Sequence, residues 1–184
     1  MKTTHNATPG TRTSSISHDT LQRLFRYKAW ANDQLLTALA ELGDASPITE
    51  LAIKALSHTY VVDRIFAAQL RGRSHGYTSA NLSEMPTLAA LSADIRASDA
   101  EYLDHVSAPG GADLAERLDF TFTDGRPGRM SREEMLLHVI THGVGHRGQI
   151  SALMLLNGKS PVIDGFTTYL HTAEASTRRR AIGA

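Results

Sequence analysis

The stretch LLHVITHGVGHRGQI, residues 136–150, sets imidazoles at His138, His142 and His146, each four residues after the last. Neutral imidazole is a ligand for divalent transition metals. On a helix, residues four apart differ by about 40° and rise about 6 Å, so two neighbouring rings can converge on one ion. His138 and His146 stand two such steps apart, about 12 Å along the axis, too far to share an ion with bonds of ~2 Å. At most two of the three can serve one metal, and His142 belongs to either pair. A catalytic zinc site takes three protein ligands and keeps a position open. The third must come from another element, and the candidate is His58 in LSHTYVVDR, on the stripe set by Ala55, Val62 and Ile65. A lone histidine there is ordinarily a core residue satisfied by one hydrogen bond. Three at four-residue spacing plus a fourth on another apolar face cost more desolvation than packing justifies, since Leu or Ala would pack better.

Other residues of the stretch bear on the same question. Gly143, Gly145 and Gly148 each cost a helix interior about 1 kcal/mol relative to Ala. Close approach of a neighbouring helix, room for a ligand beside a metal, or a kink would each account for them. Arg147 and Gln149 either orient the ligands or hydrogen-bond a neighbouring helix end.

The bulk properties narrow the function. Lys plus Arg equals Asp plus Glu at 19 each in 184 residues, and the one dense basic cluster is Arg178-Arg179-Arg180, so the electrostatic footprint of a nucleic-acid binder is missing. The chain has no cysteine, hence no disulfide framework, thiolate ligand or thiol nucleophile of its own. The opening MKTTHNATPGTRTSSIS has no apolar segment of the signal-peptide kind, and no apolar run approaches the ~20 residues that span a bilayer. The expectation is a soluble cytoplasmic protein that binds neither nucleic acid nor membrane.

Four long helices must position the histidines. The first is signalled by Ser17 as N-cap, by Asp19, and by Leu21, Leu24, Phe25, Ala29, Leu35, Leu36 and Leu39 at helical period, with Gly43 as a stop. The second runs from Pro47 to Gly72 and carries His58. Residues 73–86 read as a loop; Thr87 then caps a third helix, which the APGGAD stretch from Ala108 ends. Leu118, Phe120 and Phe122 alternate around DGRPG as a minor β-hairpin. Ser131 and Glu134 form a capping box for the fourth helix, which Asn157-Gly158 ends, and a short helix follows residue 164. Apolar stripes on four helices of this length bury on each other, so the fold class is all-α, a four-helix bundle. The domain plan is a flexible tail over 1–17, one domain over 18–175 and a basic tail over 176–184.

The segments YKAWANDQLLTAL, LSHTYVVDRIF and HVITHGVGHRGQI resemble, in order and spacing, the DinB (damage-inducible) family of DinB/YfiT-like metalloenzymes. The resemblance covers residues 18–171, and the fourth-helix motif is its most specific part. It implies an up-down-down-up four-helix bundle, commonly a homodimer, with a divalent ion on three histidines that fall on His58, His142 and His146. His138 is often histidine in such proteins without being a ligand, which agrees with the geometric limit of two. The GVG before His146 departs from the more usual Thr-, His- or Tyr-containing version, which leaves Val144 without a polar role.

Characterised relatives look like thiol-dependent enzymes: bacillithiol transferases and a mycothiol-dependent maleylpyruvate isomerase. The expected function is a metal-dependent thiol S-transferase or thiol-assisted isomerase acting on a small molecule, with Zn or Ni ahead of Fe or Cu and a low-molecular-weight thiol as co-substrate. The alternatives are a metal-dependent hydrolase, which lacks the glutamate of an HExxH motif, and a non-catalytic metal-binding or stress-response bundle.

Overall fold

The computed structural model describes residues 16–43, 45–108 and 113–178. Most of the expected N-terminal tail and residues 179–184 of the basic tail lie outside the described residues.

Four long helices dominate: α1 (His18–Leu42), α2 (Pro47–Leu70), α3 (Leu88–Ser107) and α4 (Arg132–Leu156). Their starts are set chemically. The hydroxyl of Ser17 accepts from the Thr20 amide, that of Thr87 from Ala90, and Ser131 and Glu134 satisfy each other's backbone amides reciprocally. Each such cap contributes about 1 kcal/mol by pairing an amide that the helix leaves orphaned. Pro47 opens α2, where a missing N–H costs nothing. Gly43 closes α1 at φ +80°, a backbone conformation that side-chain-bearing residues avoid. The second helix ends at Leu70, with Arg71 as its C-cap, two residues before the Gly72 stop read from sequence.

Between α3 and α4 lies an antiparallel hairpin, β1 (Arg117–Thr121) and β2 (Pro127–Ser131), which pairs Leu118 with Met130 and Phe120 with Gly128. Gly128 is required by that register, since a Cβ there would sit 2.5 Å from the Phe120 ring. The chain finishes with α5 (Phe166–Thr172) and α6 (Ala175–Arg178). Tyr169 and Phe166 of α5 close on Tyr27 at ring separations of 5.9 and 5.3 Å, which docks α5 on α1.

Helix α1 packs chiefly against α3 and α2 chiefly against α4, with α2 against α3 and α1 against α4 as further contacts. The interior is divided along its length. One apolar cluster gathers Phe25 of α1, Phe66 of α2, Tyr102 of α3 and Val139 of α4; another gathers Leu35, Leu56, Ile95 and Ile150 of the same four helices. Near the junction of these clusters each helix also buries polar residues: Lys28 and Asn32, Asp63, Asp99, and Arg147. His58 of α2 and His142 and His146 of α4 fall between the two clusters.

Candidate metal centre

Helix α2 contributes His58 and helix α4 contributes His142 and His146. One ring nitrogen from each lies within 4.8 Å of the others, an arrangement that could hold a metal ion. The three rings surround a common point, with centroids 5.1 Å apart for His58–His142, 5.0 Å for His58–His146 and 4.6 Å for His142–His146. The Nε2 atoms of His142 and His146 are 3.2 Å apart. Two nitrogens bound tetrahedrally at about 2.0–2.1 Å stand about 3.3 Å from each other, so the spacing within α4 suits one ion.

The protonation pattern also fits. His58 Nδ1 lies 3.0 Å from the Ala80 carbonyl, which can only accept; Nδ1–H therefore donates, and Nε2 is the ring nitrogen left for an ion. Burial holds the other rings neutral. It lowers His142 to about 4, with the neighbouring His146, His58, His138 and Lys28 adding in the same direction. Burial and His58 also lower His146, against a raising contact with Gln149. Neutral imidazole at pH 7 is the ligating form. The Nδ1 atoms of His142 and His146 are buried without a hydrogen-bond partner, so packing against the other rings, not a carboxylate, orients them.

His138, one turn before His142, is left outside the group. Its ring stacks on that of His142 at 5.3 Å and 22° and leans on Phe66 at 4.8 Å. Among the described residues the group has only three members, and no aspartate or glutamate joins it.

Beneath the histidines runs a polar layer that links all four long helices. Lys28 Nζ donates to Asp63 at 2.7 Å and to Asp99 at 2.6 Å. Asn32 donates to the other Asp99 oxygen at 2.8 Å and accepts from Arg147 Nη1 at 3.0 Å. Arg147 Nε reaches Asp164, before α5, at 2.6 Å, and its guanidinium lies over Tyr27 at 5.7 Å. Lys28 is fully buried; burial alone would lower its pKa, but the two carboxylates prevail and hold it charged. Burial pushes Asp63 up to about 6 against the pull of Lys28.

Arg147 thus fixes helices to one another, while Gln149 is exposed beside His146. Gly143 is explained by the same layer, because a Cβ there would sit 3.2 Å from Arg147 Nη1. Gly145 and Gly148 face open space, so no close helix approach accounts for them. Sequence reasoning missed Lys28, Asn32, Asp63 and Asp99 as a unit. A signal for them existed: Lys28 and Asn32 continue the stripe of Phe25, Leu35 and Leu39 at intervals of three and four.

A family model described as DinB family matches residues 16–180. No curated protein matches the chain.

Proposed function

The chain belongs to the DinB family, and from that premise we propose that His58, His142 and His146 hold a divalent metal ion, zinc or nickel, for a thiol S-transferase or thiol-assisted isomerase. The observation that carries this reading is the convergence of three imidazoles with no fourth protein ligand among the described residues. Three protein ligands leave a coordination position open, as in catalytic rather than structural zinc sites. An ion bound there supplies Lewis acidity, which favours the thiolate form of a small thiol near neutral pH.

The residues of this chain do the rest. His58 is aimed by its bond to Ala80, and His142 is wedged among three other rings. The cysteine-free chain has no thiol of its own to compete for the open position. Hydrolysis is less well supported, because no carboxylate joins the group to act as general base for water.

The same reading includes an up-down-down-up order of the four helices. In its support, α1 and α4 run from the Phe25 and Val139 cluster toward the Leu35 and Ile150 cluster, whereas α2 and α3 meet those two clusters in the opposite order. It also includes a cytoplasmic homodimer, supported by the exposed Leu155, Leu156 and Ile163 at and beyond the end of α4 and measurable by light scattering. No helix is long and apolar enough to cross a membrane among the described residues.

The test is a comparison of zinc- and nickel-loaded protein with the His142→Ala variant. Each is incubated with bacillithiol, mycothiol, glutathione or simple thiols and a haloaromatic electrophile, in which the sulfur–carbon bond forms as halide leaves. Acceleration that requires His142 supports the transferase. Full metal occupancy in the variant by elemental analysis would refute the site, and equal rates across the panel would remove transfer to this electrophile class.

A further inference from the structure

Between α2 and the hairpin lies a cavity of about 310 Å³ that the three-histidine group does not itself occupy. Val62 and Phe66 of α2 form one wall, Phe120 and Phe122 of the hairpin the other, and Ala80 and His138 the end nearest the histidines. That end is shared with the metal centre. The Ala80 carbonyl holds His58, and the His138 ring stacks on His142. A group seated in the cavity is therefore one residue away from the rings that would hold the ion.

The lining is mostly apolar; its polar members are Gln69, Thr123 and His138, and the first of them points to a ligand. Gln69 lines the cavity, and its Oε1 is buried without a hydrogen-bond partner. An unpaired buried acceptor is costly; Oε1 is itself shut off from the cavity space, and a turn of the Gln69 amide toward the cavity lets an entering donor satisfy it. The aromatic walls, Phe66 and Phe120 at 6.2 Å edge to face and Phe120 and Phe122 at 4.9 Å, favour a flat partner. Size narrows it further. An apolar cavity of about 150 Å³ takes benzene, so this one suits a fused bicyclic aromatic or a group of similar bulk.

We propose that this cavity binds the apolar, flat portion of the substrate that reacts at the three-histidine centre, and that Gln69 Oε1 accepts a hydrogen bond from an N–H or O–H on that substrate. The assignment of this molecule as the second substrate, beside the thiol, rests on the metal reading above; the cavity's affinity for an aromatic does not. His138 is a positioning residue at the junction, with its ring between the cavity and His142.

The experiment titrates full-length protein with naphthalene and with 2-naphthol, following backbone amide shifts, in parallel with zinc content. Two variants fill the cavity from loops and leave the helices unaltered: Ala80→Leu, which keeps the carbonyl that holds His58, and Thr123→Phe. Both should bind naphthalene at least tenfold more weakly while retaining zinc. His142→Ala should lose zinc and keep its naphthalene affinity, so that failure of the metal centre and failure of the cavity are read separately. The wild type should prefer 2-naphthol over naphthalene by roughly threefold to tenfold, the worth of one hydrogen bond, and Gln69→Leu should abolish that preference. Equal naphthalene affinity in wild type and both filled variants, or shifts confined to residues away from Phe66, Phe120 and Met130, overturns the cavity assignment. An unchanged preference in Gln69→Leu overturns the role of Gln69.

Discussion

At His142, burial settles the protonation state before any metal arrives. The folded ring takes a proton only at about 4, whereas the unfolded one takes it at 6.5. Between those values the unfolded chain binds more protons, so stability must rise with pH there. The contribution of His142 is fully present above about 6.5 and is lost as pH falls toward 4. Asp63, raised to about 6 by burial, acts in the opposite sense below that value, so the histidine part has to be isolated by difference. In chelator, the unfolding stability of the wild type should fall more steeply between pH 6.5 and 4 than that of His142→Leu; parallel curves would show that burial does not hold the ring neutral. His138→Ala should keep its metal, because this ring stacks on His142 without joining the group. Elemental analysis showing loss in His138→Ala and retention in His146→Ala would mean that the other pair of α4 serves the ion. The geometric limit of two ligands from this helix was readable from a spacing of four. The partner that aims His58 was not, because Ala80 acts through its backbone carbonyl, and a carbonyl has no letter in the sequence.

Helix α4 carries three glycines with different reasons for being there. Gly148 is exposed, helical and faces open space, so Gly148→Ala should stabilise the protein by about 0.5–1 kcal/mol through the lower entropy of the unfolded chain. Gly143→Ala should not, since its methyl would press on the guanidinium of Arg147 at 3.2 Å in a buried site. Urea denaturation of the two variants measures both, and a gain at Gly143 as large as that at Gly148 would contradict the packing. The starts of α1, α3 and α4 were legible because Ser17, Thr87 and Ser131 act on amides three residues away. The end of α2 was less legible: Gly72 draws the eye, but the helix already stops at Leu70, and the glycine serves the turn after it at φ +63°.

Across the whole molecule, stability depends on charges placed where an apolar core would be expected. Lys28 is the only cation bonded to both Asp63 and Asp99 among the described residues. Lys28→Met should leave two buried carboxylates without it and cost about 3–5 kcal/mol, a fall in Tm on the order of 10 °C by calorimetry. The exposed Arg96–Asp33 pair, at 2.7 Å, is a fair control: Arg96→Ala should cost under about 1 kcal/mol. Similar losses in the two variants would show that depth does not set the worth of these pairs. The mostly helical architecture was legible because apolar stripes repeat locally. The polar layer was not, because its partners lie 35 and 71 residues apart along the chain, and a lysine among leucines reads alike whether it meets water or a carboxylate.

That layer also constrains how such a sequence can drift. A change at Lys28 alone leaves two carboxylates in the interior without their cation, and a change at Asp63 or Asp99 alone takes from the buried ammonium one of its two acceptors, whereas a joint change to apolar residues of similar volume would remove cation and carboxylates together. In related chains these three positions should therefore vary together or not at all, and Arg147 should vary with Asn32 and Asp164. The middle of the molecule would then be inherited as a block, while the apolar clusters above and below it exchange one side chain at a time.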